Sequence, residues 1–140
     1  MNPDDLRAVL LDLAGTISGV HVDVGRTDAA RHPESYIKLT SLTDPEAFAI
    51  VSATGSGSYE LTVNGGFSTG TADDQSMEPH EVREYLASFV RAALAYLDGS
   101  WSMRKSRFLK VPTISIEKDG SVLNLVPRGR ASTNDYRLPF

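Results

Sequence analysis

PHEVREYLASFVRAALAYLD, residues 79 to 98, is the stretch of sequence that decides the fold. Its apolar residues recur at steps of three and four, which places them on one side of a helix. Pro79 suits a first helical turn, Gly99 follows where a left-handed stop is expected, and Ser76 or Asp74 can cap the start. A helix with one broad apolar face needs a sheet to lie on. The apolar face comprises Val82, Tyr85, Leu86, Phe89, Val90, Ala93, Leu94, Tyr96 and Leu97, and the opposite, solvated face is expected to comprise Glu81, Arg83, Glu84, Ser88, Arg91 and Ala95.

A shorter helix is predicted near the N-terminus. Asn2 is a good capping residue, Pro3 suits the first helical position, and Gly15 can end the helix. The rival interpretation of this stretch is a strand from Ala8 to Leu13, but caps and period agree on the helix. The apolar residues at helical steps are Leu6, Val9, Leu10 and Leu13.

Between the two helices, apolar and polar residues alternate as they do in half-buried strands. Asn64-Gly65 is a strong turn signal, because both residues tolerate a positive φ. After the second helix, Asp119-Gly120 separates two alternating runs and predicts a β-hairpin. The strands are expected at 16–25, 36–40, 46–54, 59–63, 67–71, 113–117 and 121–125.

This order of elements predicts an α+β fold. Short connections between successive strands favour antiparallel pairing, and two amphipathic helices then pack on one side of the sheet. We expect a single two-layer sandwich over residues 1–140, with a mostly antiparallel sheet of about five to seven strands. The other sheet face is expected to be partly exposed. Residues 127–140 are expected to form a loosely docked tail.

Composition describes an ordinary globular chain without a membrane span. The 140 residues are 41% hydrophobic and 23% charged. No apolar run approaches the roughly 20 residues that cross a bilayer, and the N-terminus is acidic where a secretory signal is basic. There is no cysteine, which removes disulfides, thiol nucleophiles and thiolate metal sites. The interpretation is a cytoplasmic protein.

The net charge of −4 hides an asymmetry between the two ends of the chain. Residues 1–100 hold 15 acidic residues against 6 Lys or Arg, whereas residues 101–140 hold 8 Lys or Arg against 3 acidic residues. Either an anionic partner uses the basic end, or the two portions neutralise each other in the fold.

One stretch resembles a known enzyme motif. Asp12-Leu13-Ala14-Gly15-Thr16, preceded by the apolar Val9-Leu10-Leu11, is similar to the Asp-x-Asp-Gly-Thr opening of haloacid dehalogenase-like hydrolases. The resemblance implies a nucleophilic Asp12 at the end of a strand. Ala14 replaces the second aspartate, which is the general acid/base of the phosphatases in that family. The competing interpretation is a helix C-terminus that stops at Gly15.

No other motif predicts a catalytic, cofactor or metal site. His21, His32 and His80 lack a second ligand at a recognised metal-binding spacing. Gly55-Ser56-Gly57-Ser58 is neither a nucleophile elbow nor a phosphate loop, and a hairpin turn explains it. A small ligand site between the sheet and the long helix remains an alternative, and it would be lined by Tyr59, Tyr85, Trp101 and Arg104.

The segment from residue 101 to 110 interleaves aromatic and basic side chains. Binders of single-stranded nucleic acid show this pattern, but the overall sequence is acidic. The other interpretations are a solvated edge strand and a site for an acidic protein partner. The side chains concerned are Trp101, Arg104, Lys105, Arg107, Phe108 and Lys110.

These observations favour a non-enzymatic module that binds a protein partner. In size, charge and fold class the chain resembles immunity proteins, which neutralise a toxin by occupying its active site. An acidic surface suits a basic toxin through charge complementarity. A homodimer through an uncovered sheet edge is a further expectation. The candidate contact residues are Asp23, Asp28, Glu34, Glu60, Asp73, Asp74, Trp101, Arg104 and Arg107.

Overall fold

The computed structural model describes residues 1–27, 33–71, 74–105 and 111–127. Within these ranges the chain forms two helices and eight strands. The helices are α1 (Pro3–Ala14) and α2 (Pro79–Leu97), and the strands are β1 (His21–Thr27), β2 (Glu34–Thr40), β3 (Phe48–Thr54), β4 (Tyr59–Val63), β5 (Phe67–Thr71), β6 (Trp101–Lys105), β7 (Pro112–Lys118) and β8 (Ser121–Pro127).

All described strands belong to one antiparallel sheet, in the order β1-β2-β3-β4-β5-β8-β7-β6. The first five strands form a meander. The chain then crosses the sheet through α2 and returns as β6, β7 and β8, with β8 beside β5 through two residue pairs, Phe67 with Pro127 and Ser68 with Val126. The α+β class and the antiparallel sheet are therefore confirmed. The expected number of strands was too low.

Strand β6 lies at the edge of the sheet, which confirms the interpretation of residues 101–105 as a solvated edge strand. All five of its residues are exposed, so its sequence lacks the alternation of buried and exposed positions that marks a half-buried strand. It is a strand because it pairs with β7 from Trp101 opposite Ile116 to Lys105 opposite Pro112. Long-range pairing, rather than local pattern, decides this element.

Both helices pack on the same face of the sheet. The contacts of α1 are mainly with β2, and those of α2 are mainly with β3, β4 and β7. The alternation of burial along β2 and β4 is strict, so one face of each strand enters the core and the other does not. The core residues with less than 2% exposure include Leu6, Leu10, Ile37, Leu39, Val51, Leu61, Leu86, Phe89, Ile114, Ile116, Leu123 and Leu125.

The N-terminal stretch is a helix, as the caps and period predicted. Asn2 accepts a hydrogen bond from the Asp5 backbone N–H at 2.8 Å, and Pro3 occupies the first turn. The following strand begins at His21 rather than at residue 16, because Thr16 and Ile17 still donate to carbonyls of the last helical turn.

The long helix differs in two respects from the expectation. Its N-cap is Glu78 rather than Ser76 or Asp74, and the Glu81 side chain accepts from the Glu78 backbone N–H at 3.1 Å. Ser88 and Ala95 are 3% and 0% exposed, although the pattern assigned them to solvent. Helix α2 also contacts α1 beside the sheet, so more than one side of it is covered.

Candidate functional site

The face of the sheet opposite the helices carries a partly exposed apolar centre. Register pairs Tyr36 with Ser52 and Lys38 with Ile50, and directly paired residues share a face. Tyr36, Phe48 and Ile50 are half-buried there, while their strand neighbours Ile37 and Val51 are buried under the helices. We call this surface the open face. It comprises His21, Asp23, Glu34, Tyr36, Lys38, Phe48, Ile50, Ser52, Glu60 and Thr62.

Three of the sequence-predicted acidic residues surround this apolar centre. Asp23 is exposed and lies opposite Lys38, Glu34 begins β2, and Glu60 lies opposite Ser52. The Thr62 hydroxyl donates to Glu60 at 2.9 Å, which orients that carboxylate along the strand. The fold therefore brings together on one face three acidic residues that are far apart in sequence.

Two contacts order the aromatic side chains of the open face. The Lys38 ammonium lies 4.7 Å from the centre of the Phe48 ring, within range of a cation–π interaction. Tyr36 lies across Gly25 on the neighbouring strand, because a Cβ atom at Gly25 would sit 2.4 Å from the tyrosine oxygen. The face is thus presented by paired strands and positioned rings rather than by loops, which lowers the entropic cost of binding.

Asp74 lies elsewhere and has a structural role. Its carboxylate accepts from the Ser76 backbone N–H at 2.9 Å and from the Ser76 hydroxyl at 2.5 Å, and these bonds lower its pKa. Burial raises the pKa of Tyr59 and, to about 12, that of Tyr85, and the negative charge of Asp74 adds to both shifts. Tyr59 lies on the helix side of the sheet and Tyr85 is a buried residue of α2, so Asp74 belongs to the turn before α2 rather than to the open face.

Gly57 allows the turn before α2 to pack closely against the β3–β4 turn. Its φ is +92°, and a Cβ atom there would lie 2.1 Å from the Asp74 carbonyl oxygen. The Asp74 backbone N–H and the Thr71 hydroxyl both donate to the Gly57 carbonyl at 3.1 Å. The Gly55–Ser58 segment is therefore a turn that supports the chain ahead of α2, as the hairpin interpretation expected.

Trp101 and Arg104 lie on the same strand but on opposite faces of it. Trp101 is 40% exposed and stacks on Tyr96 of α2, with ring centres 5.2 Å apart. Arg104 donates to Glu117 on β7 at 3.1 Å. Their separation means that these two side chains do not form one stacking and phosphate-binding groove. The remaining residues of the basic segment, 106–110, lie outside the described residues.

The alternative ligand site between sheet and helix is not assembled. Tyr59 and Tyr85 contact each other in the core with ring centres 6.0 Å apart. Trp101 contacts Tyr96, which is 11 residues, or about 16 Å, further along α2 than Tyr85. Arg104 points to the other side of the sheet. The four side chains therefore do not converge on one cavity.

Asp12 is on the exposed side of α1 and forms an ion pair with Arg83 of α2. The hydrolase resemblance implies an aspartate at the end of a strand, and the structure gives Asp12 a different local setting. Its contact with Arg83 joins the two helices. We therefore assign Asp12 a structural role.

The described histidines do not form a ligand cluster. His21 is exposed on β1 with its Nε2 3.4 Å from the Asp23 carboxylate, and His80 lies in the first turn of α2. Within residues 1–27, 33–71, 74–105 and 111–127, no group of three His, Asp or Glu side chains is placed to hold a metal ion. His32, Asp28, Asp73 and Arg107 lie outside these ranges, as does the tail from 128 to 140.

An open cleft lies on the helix side of the sheet. Its volume is about 480 Å³, and it is bounded by the α1–β1 connection, the β2–β3 loop and the end of α2. Leu94 and Leu97 are half-buried in its wall, and Leu42 at its rim is 69% exposed. Asp98, also at the rim, is held by Lys118 at 2.5 Å. The cleft is mostly apolar, with one charged group that already has a partner.

Sequence reasoning named the acidic rim of the open face and missed its apolar centre. The missed residues are Tyr36, Lys38, Phe48 and Ile50. The signal was present, because alternation in 36–40 and 48–54 assigns these side chains to the face opposite Ile37 and Val51.

Comparison with protein-family models, with curated proteins and with solved structures found no match to this chain. Neither described helix has the length and apolar character that crossing a bilayer requires.

Proposed function

We propose that this chain is a non-enzymatic protein-binding module whose open face docks on a basic, partly apolar surface of another protein. The observation that carries the proposal is the arrangement of Asp23, Glu34 and Glu60 around Tyr36, Phe48 and Ile50 on one sheet face. An apolar centre with a polar rim is the usual anatomy of a protein interface.

Charge supports a basic partner. The open face has three carboxylates and one lysine, and Lys38 is engaged with the Phe48 ring. Residues 1–100, which supply this face, carry a net charge of −9. Complementary charge speeds encounter and makes the association rate depend on ionic strength. We expect binding to weaken as salt is added.

The form of this function that we favour is inhibition. A rigid acidic face can cover the cationic active site of a toxin, as immunity proteins do, and the apolar centre would then supply the buried contacts. The proposal includes a cytoplasmic location. A chain without cysteine forms no disulfide, so its fold does not need an oxidising compartment.

Site-directed photo-cross-linking in the native cell tests this proposal. A benzoylphenylalanine at Phe48 should give one dominant adduct with a second protein. The same group at Leu42, which is exposed on the helix side of the sheet, should not give that adduct. The captured protein is then produced alone, and stoichiometric addition of this chain should inhibit its activity. Equal adducts from both positions, or a captured protein that shows no affinity for the chain after purification, would reject the proposal.

A further inference from the structure

The edge strand β6 offers an unpaired backbone and exposed apolar side chains. It is the last strand in the sheet order, and no other strand of the described chain lies beyond it. Met103 is 56% exposed and Trp101 is 40% exposed, and both point to the helix side of the sheet, where the Trp101 ring stacks on Tyr96 of α2. Such an edge is a template for pairing with another strand.

The ladder with β7 shows which backbone groups of β6 face outward. The Glu117 backbone N–H donates to the Ser100 carbonyl at 3.0 Å, which sets the alternation so that positions 102 and 104 exchange hydrogen bonds with β7; the Ser100 N–H itself donates to the Ala95 carbonyl at 2.9 Å. The intervening residues direct their backbone groups away from β7, which agrees with Pro112, a residue without an N–H, opposite Lys105. The Trp101 N–H is engaged by the Gly99 carbonyl at 2.8 Å. The outward groups are therefore the Trp101 carbonyl and both backbone groups of Met103 and Lys105.

We propose that β6 pairs with β6 of a second copy of this chain, antiparallel and about a two-fold axis at Met103. This register pairs all five residues of both strands. In this register Met103 exchanges two hydrogen bonds with its own copy, and the Lys105 backbone N–H donates to the Trp101 carbonyl of the other chain.

The side chains suit this register. Residues directly opposite on paired strands have Cβ atoms about 5 Å apart, so the Lys105 ammonium reaches the face of the opposing Trp101 ring. The two Lys105 side chains lie at opposite ends of the interface, roughly 14 Å apart for four strand residues, beyond the screening length at physiological salt. Arg104 is already neutralised by Glu117, so it does not repel the second copy. The β6 edge of one chain is therefore complementary to the same edge of a second copy.

The dimer extends the proposed function without depending on it. Edge pairing about an axis normal to the sheet keeps both open faces on the same side of a continuous 16-stranded sheet. Three strands, β5, β8 and β7, lie between β4 and β6, so the open faces remain accessible and a dimer presents two of them. The interface of one short strand is smaller than the ~1,600 Å² of a standard stable complex, so we expect a dissociation constant in the range of roughly 10 to 200 μM.

Sedimentation velocity over about 5 to 500 μM protein tests this inference, with two variants of matched exposure. Met103→Lys places two charges against each other at the axis, whereas Val122→Lys changes a residue of nearly equal exposure, 53%, on β8 away from the edge. We expect a reversible monomer–dimer equilibrium for the unchanged chain and for Val122→Lys, and a dissociation constant raised more than tenfold for Met103→Lys. Circular dichroism establishes that both variants are folded.

Cysteine cross-linking gives an independent result, since the chain has no cysteine of its own. With Met103→Cys, copper-phenanthroline and dissolved oxygen should oxidise two thiols to an intermolecular disulfide, because paired Cα atoms about 5.5 Å apart suit that bond. Val122→Cys should cross-link far more slowly. An unchanged chain that stays monomeric at 500 μM overturns the inference. So does a Met103→Lys protein that dimerises normally, or cross-linking that is equal at the two positions.

Discussion

Alanine substitutions at three leucines of α1 give opposite results for a helix and for a strand in this stretch. Leu10 is 0% exposed, Leu13 is 8% exposed and Leu11 is 49% exposed. A helix places Leu10 and Leu13 on one side and Leu11 on another. A strand would place Leu11 and Leu13 on the same face, because its side chains alternate with a period of two. The hydrolase motif requires that strand.

The magnitudes follow from burial. Removing a fully buried leucine side chain costs the transfer free energy of the lost atoms and leaves a cavity, about 3 to 5 kcal/mol in total. We expect that cost for Leu10→Ala and about 2 to 3 kcal/mol for Leu13→Ala at the margin of the core. Leu11→Ala should change the free energy of unfolding by less than about 0.5 kcal/mol, as surface substitutions do. A chain of 140 residues has roughly 7 to 20 kcal/mol of stability, so each variant should remain folded.

Urea unfolding, followed by circular dichroism, measures the three differences. The slope of the unfolding free energy against urea should be the same for all variants, so that midpoint shifts report stability alone. Equal costs for Leu11→Ala and Leu13→Ala, with Leu10→Ala near zero, would refute the packing of α1 and restore the strand interpretation of the Asp12 motif.

Three further predictions concern pH and the turn ahead of α2. Burial, assisted by a nearby carboxylate, raises the pKa of Tyr85 to about 12, whereas an unfolded tyrosine titrates near 10. The free energy of unfolding should therefore fall by about 2 to 3 kcal/mol as pH rises from 10 to 12. Tyrosinate absorbance and urea midpoints check this, and the Tyr85→Phe variant should show a smaller loss. The bonds from Lys118 and Ser100 lower the pKa of Asp98, so their contribution should be present above the unfolded value near 4 and disappear as pH falls below it; Asp98→Asn should reduce stability slightly at pH 7 and should lose less on acidification. Gly57→Ala should destabilise the fold by about 2 kcal/mol or more, because its Cβ meets backbone at 2.1 Å, whereas Gly120→Ala, with φ +83° and open space, should cost about 1 kcal/mol; thermal unfolding of the pair distinguishes the contact from the backbone conformation.

Local signals were sufficient for most elements of the fold. The cap at Asn2 and the spacing of Leu6, Leu10 and Leu13 agree on α1, and neighbouring signals of this kind reinforce each other. The Asp119-Gly120 turn has positive φ at both residues, 52° and 83°, which is what a tight hairpin requires. Where the local conformation and the buried face agree, sequence alone decides the element.

The features that sequence missed depend on distant partners. The edge-strand interpretation of β6 is confirmed, but its sequence did not identify β7 as its pairing partner. Ser88 and Ala95 are buried because other elements pack around α2, and the spacing of apolar residues within α2 does not reveal that packing. The junction of β5 and β8 consists of two residue pairs separated by nearly sixty residues of chain. Each is a property of tertiary packing rather than of local sequence.

The same distinction applies to the candidate site. Asp23, Glu34 and Glu60 could be named as exposed acidic residues, but only strand register shows that they share a face with Tyr36 and Ile50. Asp74 matched the same sequence criterion, yet its hydrogen bonds to Ser76 and its position over Gly57 give it a structural role. The sequence identifies which residues are acidic, whereas the pairing of strands is needed to show which of them share a face.

The affinity of the cross-linked partner for two aspartate variants tests the central claim, that the open face is the binding surface. Ile50→Asp places a charge in the apolar centre, whereas Leu42→Asp places the same charge on the opposite side of the sheet. Measured by titration calorimetry, Ile50→Asp should weaken binding at least about 30-fold, the 2 kcal/mol of an interface hot spot, and Leu42→Asp should change it less than about threefold. Binding that withstands Ile50→Asp, or that Leu42→Asp weakens equally, would contradict the account.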